Sequence, residues 1–483
     1  MKRHAVAGLQ WTGLATLATS AFQYVQVAVL TRFLSPADFG LMAMAMVVIG
    51  VVQAFNDMGI SNAVIQRRDA AGERLSSLFW LEIAAGLGLF AITLAITPLT
   101  VSFYREPALL PVMLWVSTIF LVTPPGQLYL VLLQRDLKFK DLAVIEISAT
   151  VVSTIAMFAA ALIGMGVIAL VAGQIVYYAA RSLQLVAAGL PHWRPRLHFR
   201  AADLAGYFGF GAYQMGERTV TYLGINAIKI IVGRYLGADV LGLYYIAYQI
   251  IVYPVLRVST VIMTVSFPIL AKFQESDDLL RRGYLHMSRL ISFSLFPVLV
   301  VAFVAAPVFA PLLVGPGWAD VTPIVQILCV VALFKALGST TVPTYLARGR
   351  ADLGFAWNFI VAVVNAVVFY LLAGYGIVVL TLAFAAISLL QFVVMQTITG
   401  HMIGLKWSKY LGAMAINAMK SVVVGALVYA AYTIGSALSV NSLVLLVAMA
   451  AVSVVAYLSI ALAFNRDYLR ELWHLVLRPH AEA

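Results

Sequence analysis

An all-α membrane protein of about fourteen transmembrane helices is predicted by three features of the 483-residue sequence: its apolar composition, the spacing of its apolar runs and the placement of its basic residues. Hydrophobic residues make up 63% and charged residues 11%, with a mean hydropathy of +0.97. A soluble chain of this length needs more charged surface than that, so lipid is the solvent for most of it. A hydrocarbon core of ~30 Å takes ~20 apolar residues per helix, and fourteen helices use roughly 280 residues. The remaining connections are too short for a soluble domain.

The first apolar run, 9–31, follows the basic start MKRHAVAGLQW. It contains Gln23 and Gln26 and lacks a small-residue cleavage site, so it reads as a retained helix rather than a signal peptide. The turn SPADF leads to 40–63, and a connection carrying Arg67, Arg68 and Arg74 leads to 77–101. Runs at 109–132 and 142–164 flank Arg135, Lys138 and Lys140, and 167–189 leads to a connection with Arg194, Arg196 and Arg200, with which Arg181 is counted. The next runs are 207–232, 241–270, 286–312, 322–346, 355–374 and 376–399, and the last two are 411–434 and 441–464. Basic residues cluster in alternate connections, while those between them, such as IGMG, LGAD, GPGWAD and SALSVN, are nearly free of Lys and Arg. By the positive-inside rule both termini are cytoplasmic, which requires an even number of spans and places the chain in an inner membrane.

The net charge of +11 is spread over these flanks rather than gathered on one face, which argues for membrane orientation and against nucleic-acid binding. Cys329 is the single cysteine, so no internal disulfide forms, and the seven histidines fall in polar connections. No metal site and no cofactor are expected. There is no phosphate-binding G-x-x-x-x-G-K-[ST] loop, and no extracytoplasmic connection is long enough for a catalytic site, so an enzyme is not expected.

A repeat appears at an offset of 202: TRFLSPADFGL (31–41) aligns with GRYLGADVLGL (233–243), pairing Arg32 with Arg234, Leu34 with Leu236, Gly40 with Gly242 and Leu41 with Leu243. LLQRDLKF (132–139) has a weaker counterpart in YLARGRAD (345–352). The repeat predicts two six-helix lobes in parallel repeat around a central cavity, plus two C-terminal helices. The expected divisions are 1–200, 201–405 and 406–483.

Charges inside apolar runs mark candidate functional residues, since each costs ~2.5–3.5 kcal/mol at the bilayer centre. Arg218 and Lys229 lie eleven residues apart on one helical face, with Tyr222 between them, and Gln249, Tyr253 and Arg257 form a stripe at four-residue spacing. Lys335 is a further cation near mid-span, and Lys420 lies nearer a span end. Arginine bonds phosphate bidentately and aromatic rings stack on sugars, so this set suits a phosphate-bearing glycan headgroup. The structural alternative is that these cations pair with an intramembrane acid such as Glu82, Glu146 or Glu217, or snorkel to an interface; for Lys229 and Lys420 snorkelling is expected. Asp57, Glu82, Glu146 and Glu217 are candidates for a gate or coupling group, with interfacial pairing the competing role for the first three.

The strings TRFLSPADFGL, FNDMGISNAVIQRRD (55–69), LFWLE (78–82), LLQRDLKFKDLAVIE (132–146), RLHFRAADLAGYFGFGAY (196–213), RYLGADVLGLYYIAY (234–248) and FPILAKFQ (267–274) occur in order and together resemble the Wzx-type, colanic acid exporter-like polysaccharide flippases. These belong to the multidrug, oligosaccharidyl-lipid and polysaccharide exporter superfamily. The resemblance implies two six-helix lobes, alternating access, and an undecaprenyl-pyrophosphate-linked oligosaccharide repeat unit as substrate, moved from the cytoplasmic to the periplasmic leaflet. It also implies a place beside a polysaccharide polymerase and export machinery. No motif of that family fixes Arg218, Arg257 or Lys335, whose candidacy rests on depth and helical face. A multidrug cation antiporter of the same fold, a peptidoglycan-precursor flippase and a membrane glycosyltransferase are the alternatives.

Overall fold

The computed structural model describes residues 2–53, 72–204, 211–272 and 276–464. Among the described residues the regular structure is helical, as lipid requires of a chain whose backbone must satisfy its own hydrogen bonds. The chain groups into two compact units, 1–242 and 243–483.

The first unit begins with α1 (Lys2–Leu30), α2 (Pro36–Gln53) and α3 (Gly72–Tyr104). A broken span follows, formed by α4 (Leu109–Ser117), α5 (Ile119–Val122) and α6 (Pro124–Arg135), with a 47° bend before Pro124. The bend falls where Pro124 and Pro125 remove two donors from the helix ladder. Next come α7 (Phe139–Leu162), α8 (Val167–Gly189) and a short 3-10 turn at Ala201–Leu204. Helix α9 (Gly211–Lys272) runs past the end of this unit but is broken at Gly237, whose φ of 85° a side chain would strain.

The second unit holds the rest of α9, then α10 (Asp277–Val314), α11 (Val321–Ser339), α12 (Thr341–Ala347), α13 (Ala351–Leu372), α14 (Ile377–Met402), α15 (Trp407–Ala437) and α16 (Ser442–Phe464). Eleven described segments are long and apolar enough to cross a bilayer, and the bent span is a twelfth. The break at Gly237 divides the longest of these, Thr219–Thr260, into two arms, and α8 is a further helix of 23 residues. The multi-pass helical architecture is as the sequence predicts, with eleven or twelve candidate spans among the described residues where about fourteen are expected.

The repeat of offset 202 has a structural counterpart. A Cβ placed on Gly40 would lie 1.8 Å from the carbonyl oxygen of Ala238, and one placed on Gly242 would lie 1.8 Å from that of Pro36. The same offset that pairs Gly40 with Gly242 pairs Pro36 with Ala238, so the contact is unchanged when the two segments are exchanged. The Asp38 carboxylate accepts from the Ser35 N–H at 2.9 Å and hydroxyl at 2.8 Å, closing the turn into α2.

In the second unit, Pro297 interrupts α10 and leaves the Phe293 carbonyl without its helical donor. The Tyr457 hydroxyl of α16 donates to that carbonyl at 2.8 Å. Around it, Val308 of α10, Val424 and Val428 of α15, and Leu445 and Met449 of α16 are buried together. Tyr457→Phe is expected to lower stability by ~1–2 kcal/mol, read as an earlier thermal unfolding in detergent. Adding Pro297→Ala restores the in-helix donor and should remove most of the difference between Tyr and Phe at 457.

Candidate functional site

In the first unit, Tyr222, Asn226 and Lys229 form one stripe on α9. The Lys229 ammonium donates to Asn226 Oδ1 at 3.0 Å, and Asn226 Nδ2 donates to the Tyr222 carbonyl at 2.9 Å. The Tyr222 hydroxyl bridges to α2, donating to the Met46 carbonyl at 2.9 Å across a surface that Gly50 keeps open. Lys229 is 7% exposed. Its ammonium is thus held within the helix packing, where snorkelling to an interface was expected. Arg218 falls on the same stripe one turn earlier by sequence, but its side chain and that of Glu217 lie outside the described residues, as does Asp57.

Glu82 is buried on α3. Glu146 on α7 accepts from the Tyr177 hydroxyl and, at 3.1 Å, from Arg181 Nε, both on α8. One turn further on, Ser148 donates to Gln184 at 2.6 Å, and Gln26 of α1 donates to Thr154 of α7 at 2.6 Å. These bonds make a polar seam within three apolar helices. Sequence reading placed Arg181 in a connection, yet it lies inside α8 as the partner of Glu146. A cation two turns before a helix end, one turn after two tyrosines, was the signal available.

In the second unit, Gln249, Tyr253 and Arg257 share a face of α9, and the Tyr248 and Tyr253 rings meet edge to face at 5.1 Å. Lys335 on α11 places its ammonium 5.0 Å from the centre of the Phe384 ring on α14, a cation–π contact. Each unit therefore holds a cation inside its apolar helices: Lys229 in the first, Arg257 and Lys335 in the second.

The sequence matches the family described as polysaccharide biosynthesis protein over residues 29–323. The chain belongs to that family. It is 30% identical over 407 residues to the teichuronic acid biosynthesis protein TuaB of Bacillus subtilis, covering 84% of this chain and 84% of that protein. It is also 30% identical over 358 residues to the lipopolysaccharide biosynthesis protein WzxC of Escherichia coli, covering 74% and 73%. Among solved structures, the lipid II flippase MurJ in its inward closed conformation superposes with a TM-score of 0.75 at 14% identity, over 95% of this chain and 99% of that one. The resemblance read from the sequence is thus correct, and the fold is that of a multi-pass membrane transporter.

In this polysaccharide biosynthesis protein the Glu146–Arg181 pair is half-exposed, with side chains 36% and 22% accessible. Glu146→Gln leaves the Arg181 guanidinium without its counter-charge among apolar helices and is expected to cost ~2 kcal/mol. The double variant Glu146→Gln/Arg181→Gln should recover most of the loss in a thermal unfolding assay, because no net charge is left behind.

Proposed function

We propose that this protein moves an undecaprenyl-pyrophosphate-linked oligosaccharide repeat unit from the cytoplasmic to the periplasmic leaflet of a bacterial inner membrane by alternating access. The observation that carries this reading is the balance of charges within the helices: Lys229, Arg257 and Lys335 are cations beside amide or aromatic groups, and they outnumber the buried acid Glu82, which lies toward the start of α3. An anionic pyrophosphate is complementary to such groups, and arginine meets it bidentately. Tyr222, Tyr253 and Gln249 on the same stripes supply ring faces and amide bonds suited to sugars. Arg218 joins this set by its helical position, and Asp57, Glu82, Glu146 and Glu217 are the gate or coupling candidates.

The sugar-pyrophosphate head is drawn in by these cations while the prenyl chain stays in lipid; the lobes are 1–200 and 201–405, and helices within 406–483 complete the chain. No covalent bond is made or broken. A membrane potential negative inside contributes ~2.3 kcal/mol per expelled elementary charge at 100 mV. Both termini are cytoplasmic in this orientation, and the product is handed to a polysaccharide polymerase and export machinery. The names of TuaB, a teichuronic acid biosynthesis protein, and WzxC, a lipopolysaccharide biosynthesis protein, support the choice of a saccharide substrate.

The test is depletion of the protein in its host, with mass spectrometry of the lipid fraction and drug susceptibility measured together. Accumulation of an undecaprenyl-pyrophosphate oligosaccharide with loss of surface polymer is the expected result. Increased sensitivity to cationic drugs without such a lipid would overturn the proposal in favour of an antiporter, and accumulation of the peptidoglycan precursor would assign a different lipid.

A further inference from the structure

Between α8 and the turn at Ala201–Leu204, residues 190–200 form an irregular strap. Its backbone is tied to the first three turns of α3. The Arg196 N–H donates to Ser76 Oγ at 3.1 Å, Trp80 Nε1 donates to the Arg196 carbonyl at 2.8 Å, and the Arg200 N–H donates to Ser77 Oγ at 3.1 Å. Ser77 in turn donates to Asp203 at 2.7 Å, and His198 meets the same carboxylate oxygen at 3.1 Å. The Ser77 bond, then that of His198, holds the Asp203 carboxyl below its ordinary range, so the anchor stays charged at neutral pH. Trp193 packs with Phe79 at 6.2 Å and Tyr129 at 5.8 Å.

These anchors use main-chain atoms and Trp193, and they leave a run of other side chains facing outward. Leu197 is 94% exposed and Phe199 55% exposed, and Arg194, Arg196 and Arg200 beside them are exposed as well. Among the described residues no carboxylate lies within ion-pair distance of Arg194 or Arg196. Covering a leucine or phenylalanine is worth ~1.5–3 kcal/mol, so two held open on a fixed backbone require a cover. Three arginines among them specify an anionic one. Trp80 and Trp193, a residue type enriched at the boundary between lipid and water, flank the strap at the start of the apolar helix α3.

We infer that the strap is a contact for anionic lipid: Arg194, Arg196 and Arg200 meet phosphate headgroups of the adjacent leaflet, and Leu197 and Phe199 enter its acyl boundary. This holds the α6–α8 end of the first unit to one leaflet and is independent of what the protein carries. The partner chemistry is a lipid phosphate surface rather than a soluble acidic protein, because the exposed apolar pair alternates with the basic residues along one extended segment beside the start of the apolar helix α3.

The test uses the full-length protein in nanodiscs of phosphatidylcholine alone or of phosphatidylcholine with phosphatidylglycerol, reading hydrogen–deuterium exchange over 194–200. Exchange should be slower with phosphatidylglycerol, and the difference should shrink at high salt. Each arginine near an anionic surface is worth about fivefold in partition, so Arg194→Gln/Arg196→Gln should weaken the lipid-dependent protection about 25-fold. Thermal unfolding of that variant should match the parent, because both side chains are exposed. Equal exchange in the two lipids overturns the inference. So does protection that arises only when a soluble cell fraction is added, which would assign the strap to a protein.

Discussion

Gly40→Ala and Gly242→Ala are each expected to cost ~3 kcal/mol or more and to abolish complementation of a null strain, read as surface polymer and as thermal stability of the purified protein. The new methyl would lie 1.8 Å from a main-chain oxygen, in one case that of Ala238 and in the other that of Pro36. A side chain in the way could rotate, but a carbonyl inside a helix turn cannot move without breaking the turn. Gly88→Ala on α3 is the control, since nothing lies within 4 Å of the added carbon. It should be neutral or slightly stabilising, as alanine is favoured over glycine in a helix by ~1 kcal/mol. If Gly40→Ala and Gly242→Ala behave like Gly88→Ala, the close crossing does not exist in the membrane.

Substitutions at the second-unit cations should divide by geometry. A charge-assisted hydrogen bond contributes ~1.5–3 kcal/mol, so under the proposed function Arg257→Ala or Lys335→Ala should slow transport of the lipid-linked saccharide ~10- to 100-fold in reconstituted vesicles. Arg257→Lys retains the charge but loses the planar fork, and most of the loss should persist. Lys335→Arg should be tolerated better, because a guanidinium also stacks on the Phe384 ring. Equal effects of Arg257→Lys and Lys335→Arg would show that charge alone, not fork geometry, is used at these positions.

The passes were legible because lipid leaves one local solution, an apolar helix of about 20 residues. The broken span at Pro124 and the break at Gly237 were legible in outline, since both residues disrupt a helix by their own covalent structure. Helix contacts were less so. Gly40 and Gly242 stood out as a repeated pair, but only the fold shows that each faces the other's copy of the turn. Arg181 was misread because a basic residue near a span end satisfies the orientation rule equally well when it is paired with Glu146. Lys229 was misread for the converse reason: the sequence does not show that Asn226 waits one turn away. The strap was invisible, since Ser76, Ser77 and Trp80 are ordinary residues at a helix start until a segment more than 110 residues away binds them.

The bond from Tyr457 to Phe293 also constrains how the protein is made. Its partners are 164 residues apart, and translation at ~5–20 residues per second puts ~8–30 seconds between their synthesis. Throughout that interval α10 sits in the membrane with a carbonyl that has no helical donor, beside the bare apolar face that α15 and α16 later cover. Helix α10 is thus finished only when α16 arrives, and a ribosome that stops short leaves a client for membrane quality control rather than a smaller working protein.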